Sequence, residues 1–255
     1  MHKFNSDSVE IAFDDVGQGE PILLIHGFAS NGRVNWADTG WVKTLVDAGF
    51  RVITIDNRGH GESEKLYNPD LYSAAEMAED AKRLLDYLKI ERAHVMGYSM
   101  GARIAAFLAI GHPLRVGCAI FAGLASRMIT GVGGGLEIAR GLEAASLLDI
   151  TDVRARAFRI FAEQTRGDLR ALAACIKSSR VKITETMLAT ITAPVLVVVG
   201  EKDDIAGEPG PLLAAIPGAS AVILPNRNHM NAVGDRTYKE AVLTFLKAHL
   251  LHIDN

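Results

Sequence analysis

Short apolar runs recur along the chain, and most are separated by stretches with helical periodicity. Pro21-Ile22-Leu23-Leu24-Ile25 and residues 51–55, 93–96, 117–121 and 194–199 read as buried strands, with 221–224 a shorter sixth. Continuous rather than alternating hydrophobicity is what a parallel sheet needs when helices cover both of its faces. Residues 9–14 instead alternate polar and apolar side chains, which predicts an antiparallel edge strand with one wet face. Helical spacing occupies residues 41–48, 74–88 and 236–251. In the second of these, Met77, Ala81, Leu84, Leu85 and Leu88 form one apolar stripe. Ser73, followed three residues later by Glu76, predicts a capping box at its start. The alternation of strand and helix predicts a doubly wound, mostly parallel α/β fold.

The rhythm changes after about residue 124, and no strand pattern returns until about 191. Helical patterns run instead over residues 136–148, 153–165 and 169–178. A helical insertion between two core strands, on the side where such sheets bind ligands, predicts a cap. The expected division is a core of residues 1–123 and 191–255 and a helical cap of 124–190. Gly131, Gly133, Gly134 and Gly135 lie at the cap entrance without the Gly-Lys-Ser/Thr ending of a phosphate loop, so they predict a turn or hinge.

Composition narrows the partners. With 255 residues, 49% of them apolar, the chain can bury the core of a single α/β domain. Lys plus Arg number 27 against 30 Asp plus Glu, a net charge of −3. That balance gives no footprint for nucleic acid or for an anionic membrane, so the expected partner is a small molecule. The two cysteines, Cys118 and Cys175, sit in apolar and helical stretches and in no CxxC pair. Neither a metal site nor a disulfide framework is expected, and no cofactor. The first residues lack the apolar segment of a signal peptide, and no apolar run is long enough to span a bilayer. A cytoplasmic location is the resulting expectation.

The chemistry concentrates at Gly97-Tyr98-Ser99-Met100-Gly101, which follows a strand pattern and opens a helical one. A serine held between glycines at a strand-to-helix junction is the setting of a nucleophile elbow. A serine hydroxyl needs a base, and the base needs an orienting group. Of the histidines downstream, His112 ends the nucleophile's own helix, and His249 and His252 belong to the terminal helix and tail. His229, in the polar loop after the last strand, is the expected base. The acid should follow the preceding strand, where Gly200-Glu201-Lys202-Asp203-Asp204 offers three carboxylates. Asp203 is preferred and Asp204 is held in reserve. Backbone amides of Met100, after the nucleophile, and Phe28, after His26-Gly27, would hold a developing oxyanion. The His26 side chain is expected to brace that loop. Trp36, Trp41, Tyr98, Met100, Phe158, Phe161 and Met230 are candidates for the substrate pocket.

Taken together, His26-Gly27-Phe28, Asp56-Asn57-Arg58-Gly59-His60-Gly61-Glu62-Ser63, the elbow, Gly200-Glu201-Lys202-Asp203 and Asn228-His229 resemble the capped serine hydrolases of the α/β-hydrolase superfamily. The resemblance runs over nearly the whole chain and implies that Arg58 and His60 belong to a structural loop beside the site. It argues against haloalkane dehalogenases and epoxide hydrolases, which carry aspartate at the elbow, and against proline iminopeptidases with their Trp-rich elbow. Asn228 departs from the glycine that many members place before the histidine. The implied activity is hydrolysis of small carboxylic esters through a Ser99 acyl-enzyme. C–C bond hydrolysis, enol-lactone or thioester hydrolysis and perhydrolysis use the same triad and stay open, as does a non-catalytic receptor for a small ligand. Oligomeric state is not encoded in these motifs.

Overall fold

The apolar runs pair into a single sheet in a computed structural model, which describes residues 1–251. His252 lies outside the described residues. The strands are β1 (His2–Ser6), β2 (Val9–Val16), β3 (Glu20–Ile25), β4 (Phe50–Ile55), β5 (Ala93–Tyr98), β6 (Val116–Ala122), β7 (Val195–Gly200) and β8 (Ser220–Leu224). Their order in the sheet is β1-β2-β4-β3-β5-β6-β7-β8. β3 to β8 pair in parallel, while β1 and β2 add an antiparallel margin. Residues 9–14 are therefore not the edge strand expected of them, because β2 is paired on both sides and β1 takes the edge. His2, Lys3 and Asn5 conceal β1 in the sequence, yet its Phe4 and Ser6 alternate into the interior as a half-buried strand requires.

Helices α1 (Trp41–Asp47), α2 (Ala74–Tyr87) and α3 (Met100–Gly111) follow β3, β4 and β5. Ser73 Oγ accepts from the Glu76 amide at 3.1 Å, but the box is only half made. The Glu76 carboxylate is drawn instead to Arg58 and Arg83. Between β6 and β7 stand α4 (Arg127–Thr130), α5 (Gly135–Glu143), α6 (Val153–Gln164), α7 (Leu169–Ser178) and α8 (Glu185–Leu188). The helix expected over 136–148 stops at Glu143. There the Arg159 guanidinium takes the carbonyls of Gly141, Leu142 and Ala144. Ser146 and Asp149 then open a separate single turn with a complete capping box. Gly131, Gly133 and Gly134 all adopt positive φ in the turn that joins α4 to α5.

Two further helices, α9 (Gly210–Ala215) and α10 (Arg236–Ala248), complete the described chain. Alternate residues of each central strand feed opposite faces. Ile22, Leu24, Val52 and Met96 pack on Trp41, Leu45, Tyr238 and Val242 of α1 and α10. Leu23, Ile25, Ile53 and Val95 pack on α2 and α3 through Met77, Leu84, Ile104 and Leu108. Both faces of the central strands are thus covered by helices. No helix among the described residues is long and apolar enough to cross a membrane.

Candidate active site

Ser99 sits at the carboxyl end of β5 with φ 55° and ψ −110°, a conformation costly for any residue with a Cβ. The turn survives because its flanks are glycine. A Cβ on Gly97 would stand 2.1 Å from the Gly101 carbonyl oxygen, and one on Gly101 would stand 2.0 Å from that of Ile25. The Ser99 amide donates to Ala122 of β6 at 2.7 Å, so the neighbouring strand fixes the tip of the turn.

Three loops converge on this tip. His229 Nε2 lies 3.1 Å from Ser99 Oγ, and its Nδ1 lies 2.9 and 3.1 Å from the two oxygens of Asp203. The histidine is only 7% exposed. The Asp203 side chain is fully buried, and its Oδ1 also accepts the Ile205 and Ala206 amides at 2.9 Å each. Asp204, the reserve candidate, lines the neighbouring cavity and does not contact His229. The loops carrying Asp203 and His229 are stitched together, since the Lys202 amide donates to the Arg227 carbonyl at 2.8 Å. Asn228 gives its departure from glycine a physical use. Its Oδ1 accepts the amides of Met230 and Asn231 at 3.0 Å each, a turn that wraps the loop around His229.

On the other flank, Gly27 lies against the elbow, where a Cβ would come within 3.5 Å of Ser99 Cβ. Its amide donates to Asn35 Oδ1 at 3.0 Å. His26 Nε2 accepts the Asn57 amide at 3.0 Å, which places the ring proton on Nδ1, donated to the Gly27 carbonyl at 2.7 Å. Burial pushes the His26 pKa down to about 4, so this brace is a neutral imidazole. His60 is likewise driven down, to about 3, by burial and then by His26. Asp56 ties the same region together by accepting the Gly32 and Glu62 amides, and Arg58 is locked bidentately on Asp80. These residues hold loops in place and do not face the cavity. Neither the Phe28 nor the Met100 amide finds a backbone acceptor among the described residues.

Ser99 and His229 open onto a cavity of about 580 Å³, within the size range of small-molecule sites. Tyr98, Phe158 and Met230, expected at the pocket, line it, as does Phe161. Tyr98 gives its hydroxyl to the His229 carbonyl at 2.6 Å. Burial, then the Asp203 charge, hold its pKa well above the ordinary value, so it stays a neutral donor. Trp36 is a correction. It is fully buried edge-on to Trp41 in the core beneath the loop, and neither indole reaches the cavity. The residues around Trp36 reach it instead, through Val34, Asn35 and Thr39. On α6 the sequence reading missed Val153, Arg154 and Ala157. With Phe158 and Phe161 they form a stripe at helical spacing that could have been read as a second face.

Residues 20–133 match the family model for the alpha/beta hydrolase fold. The sheet order and the sharp Ser99 turn agree with it. The chain has the α/β-hydrolase fold. It is similar over 95 residues, at 41% identity, to the non-heme chloroperoxidase CPO-A1 of Kitasatospora aureofaciens, covering 37% of this chain and 33% of that protein. Over 179 residues it is 30% identical to 2-hydroxy-6-oxo-6-phenylhexa-2,4-dienoate hydrolase of Comamonas testosteroni, covering 70% of this chain and 57% of the relative. The chain thus spans less than two thirds of each of these relatives. Among solved structures, a hydrolase from Pseudomonas aeruginosa PA01 is similar with a TM-score of 0.79 and 26% identity, over 96% of this chain and 97% of the other.

Proposed function

We propose that this protein is a serine hydrolase that cleaves carboxylic esters of small molecules through an acyl-enzyme. The observation that carries the reading is the unbroken Ser99–His229–Asp203 hydrogen-bonded chain at the edge of a cavity of about 580 Å³. Ser99 Oγ attacks the ester carbonyl carbon as His229 Nε2 takes its proton. Asp203 holds the Nδ1–H tautomer and stabilises the imidazolium. The Phe28 and Met100 amides receive the negative oxygen of the tetrahedral intermediate. Its collapse expels the alcohol, which leaves with the proton from His229. A water deprotonated by the same nitrogen then attacks the acyl-enzyme, and the acid departs as Ser99 recovers its proton. Val34, Val153, Phe158, Phe161 and Met230 in the cavity wall favour an apolar substituent on the substrate.

A second reading, hydrolysis of a C–C bond, is favoured by the similarity to the Comamonas dienoate hydrolase over 70% of the chain. A panel of p-nitrophenyl esters, lactones and dienoate ring-fission products separates the two. Rapid turnover of ring-fission products beside negligible ester cleavage would replace the ester assignment. A fluorophosphonate probe tests the hydrolase reading itself, which requires wild-type protein to label and Ser99→Ala not to. A folded wild-type protein that neither labels nor turns over any of these substrates is a receptor instead.

A further inference from the structure

Ser99 also borders a second, much smaller pocket of about 30 Å³, walled by Met100 and Leu124 and by three polar side chains, Arg103, Ser179 and Arg180. Buried arginines elsewhere in this protein carry a counter-ion. Arg58 is paired with Asp80, and Arg159, which caps three carbonyls, also holds Glu163. Arg103, which is buried, and Arg180, which is half-buried, break that pattern. Arg103 is 2% exposed, and its guanidinium reaches only the carbonyls of Met128, Arg127 and Val181. Arg180 donates to the Gly133 carbonyl. Among the described residues no carboxylate pairs with either. Burial, and then a neighbouring guanidinium, lower both to about 10, Arg180 acting on Arg103 and Arg154 on Arg180. Ser179 Oγ adds a hydroxyl 1% exposed and without a hydrogen-bond partner, beside only the weakly accepting Cys175 thiol.

The buried charge of Arg103 and the buried orphan donor of Ser179, beside the half-buried Arg180, are unfavourable until an anion arrives. We propose that this pocket is a carboxylate subsite: the substrate bears, on the arm beside its scissile carbonyl, a carboxylate taken by Arg180 and Ser179, with Arg103 supplying further charge behind them. The planar guanidinium matches a carboxylate with two parallel N–H donors. A pocket of about 30 Å³ has room for about two waters, the size of a carboxylate group and not of an alkyl chain. The substrate class is therefore the half-ester of a short dicarboxylic acid, with its neutral alcohol portion in the larger cavity. This rests on Ser99 being the nucleophile.

The test compares mono-p-nitrophenyl succinate with p-nitrophenyl butyrate, which differ chiefly in the terminal carboxylate. Wild type should favour the succinate in kcat/KM. Arg180→Met should lower the succinate-to-butyrate ratio by about thirtyfold, the fold-change of one charge-assisted hydrogen bond, and Arg180→Lys should restore part of it. Ser179→Ala, which removes no charge, should lower the ratio by less. Thermal melting establishes that each variant is folded. A wild-type ratio near one that Arg180→Met leaves unchanged overturns the subsite while ester hydrolysis stands. If wild type cleaves neither ester and resists fluorophosphonate, the hydrolase reading fails. Calorimetric titration with succinate then decides the subsite: binding lost in Arg180→Met supports it, and no binding to wild type overturns it.

Discussion

Replacing Asp203 by asparagine separates the orienting role of this carboxylate from its structural one. Oδ1 is already committed to the Ile205 and Ala206 amides at 2.9 Å each. An asparagine must keep its carbonyl oxygen there, which turns its NH2 group toward His229 Nδ1. That nitrogen now faces a donor, so its proton moves to Nε2 and points at Ser99 Oγ across the 3.1 Å contact. The lone pair that should receive the serine proton is lost. The loss in kcat should approach 10⁴-fold, about 5.5 kcal/mol of transition-state stabilisation, because the base is present in the wrong tautomer. Every hydrogen bond is replaced in kind, so the melting temperature should move by only a few degrees. Asp204→Asn leaves the Asp203–His229 contact intact and should hold kcat within about tenfold. Steady-state hydrolysis of p-nitrophenyl butyrate, with fluorophosphonate labelling rates alongside, reads both variants. An Asp203→Asn enzyme that keeps a tenth of wild-type kcat, or a larger loss in Asp204→Asn, refutes the assignment.

Gly101→Ala should destabilise by about 3 kcal/mol or more in urea titrations, since its Cβ would meet the Ile25 carbonyl oxygen at 2.0 Å, a backbone atom with no room to yield. Arg58→Ala strands the buried Asp80, whose pKa burial already raises, and should cost about 3–5 kcal/mol, whereas Arg58→Met with Asp80→Leu should cost much less; equal losses would remove the pairing argument. His26 is held neutral, with its pKa lowered from 6.5 to about 4, so the unfolded chain binds the proton more readily. That contribution to stability is complete above pH 6.5, is lost as the pH falls toward about 4, and amounts to about 3 kcal/mol at most. Urea midpoints at pH 7, 5.5 and 4 should therefore decline, and His26→Gln should flatten the decline; a midpoint that rises on acidification contradicts it.

Most of the sheet was legible because a strand covered on both faces must be mostly apolar, as β3 is after Glu20, β5 is apart from His94, and β7 is throughout. β1 escaped because an edge strand needs only alternate apolar positions, and five residues carry too short a pattern. Ser99, His229 and Asp203 could be ordered from the chain because each follows a recognisable strand. What periodicity could not give was the orientation of large side chains on irregular turns. Trp36 lies on a wide, π-type helical turn, Arg33–Ala37, whose neighbours Val34 and Asn35 face the cavity while the indole turns into the core. Nor do local patterns show that Arg103 and Arg180, 77 residues apart, border one pocket without a carboxylate between them. That is a property of packing and not of composition.

Three of the loops that meet at Ser99 share one physical feature. Ala29, Ser99 and Asn226, with φ of 60°, 55° and 58°, are non-glycine residues in left-handed backbone, one each on the loops after β3, β5 and β8. Each conformation costs about 1–3 kcal/mol and persists only where its surroundings hold it. Ser99 is held by Ala122 of β6, and the Asn226 amide by the Glu201 carboxylate at 2.7 Å. Ala29 is held from outside the sheet. The Thr165 hydroxyl, at the end of α6, donates to its carbonyl at 2.7 Å, and Phe158 of the same helix packs edge-on to Phe28 at 5.7 Å. The helix that contributes Val153, Ala157 and Phe161 to the cavity wall therefore also fixes the loop that carries the Phe28 amide. A change in α6 that reshapes the pocket therefore also shifts the loop that carries Phe28. On the proposed mechanism, substrate fit and transition-state stabilisation are coupled through α6.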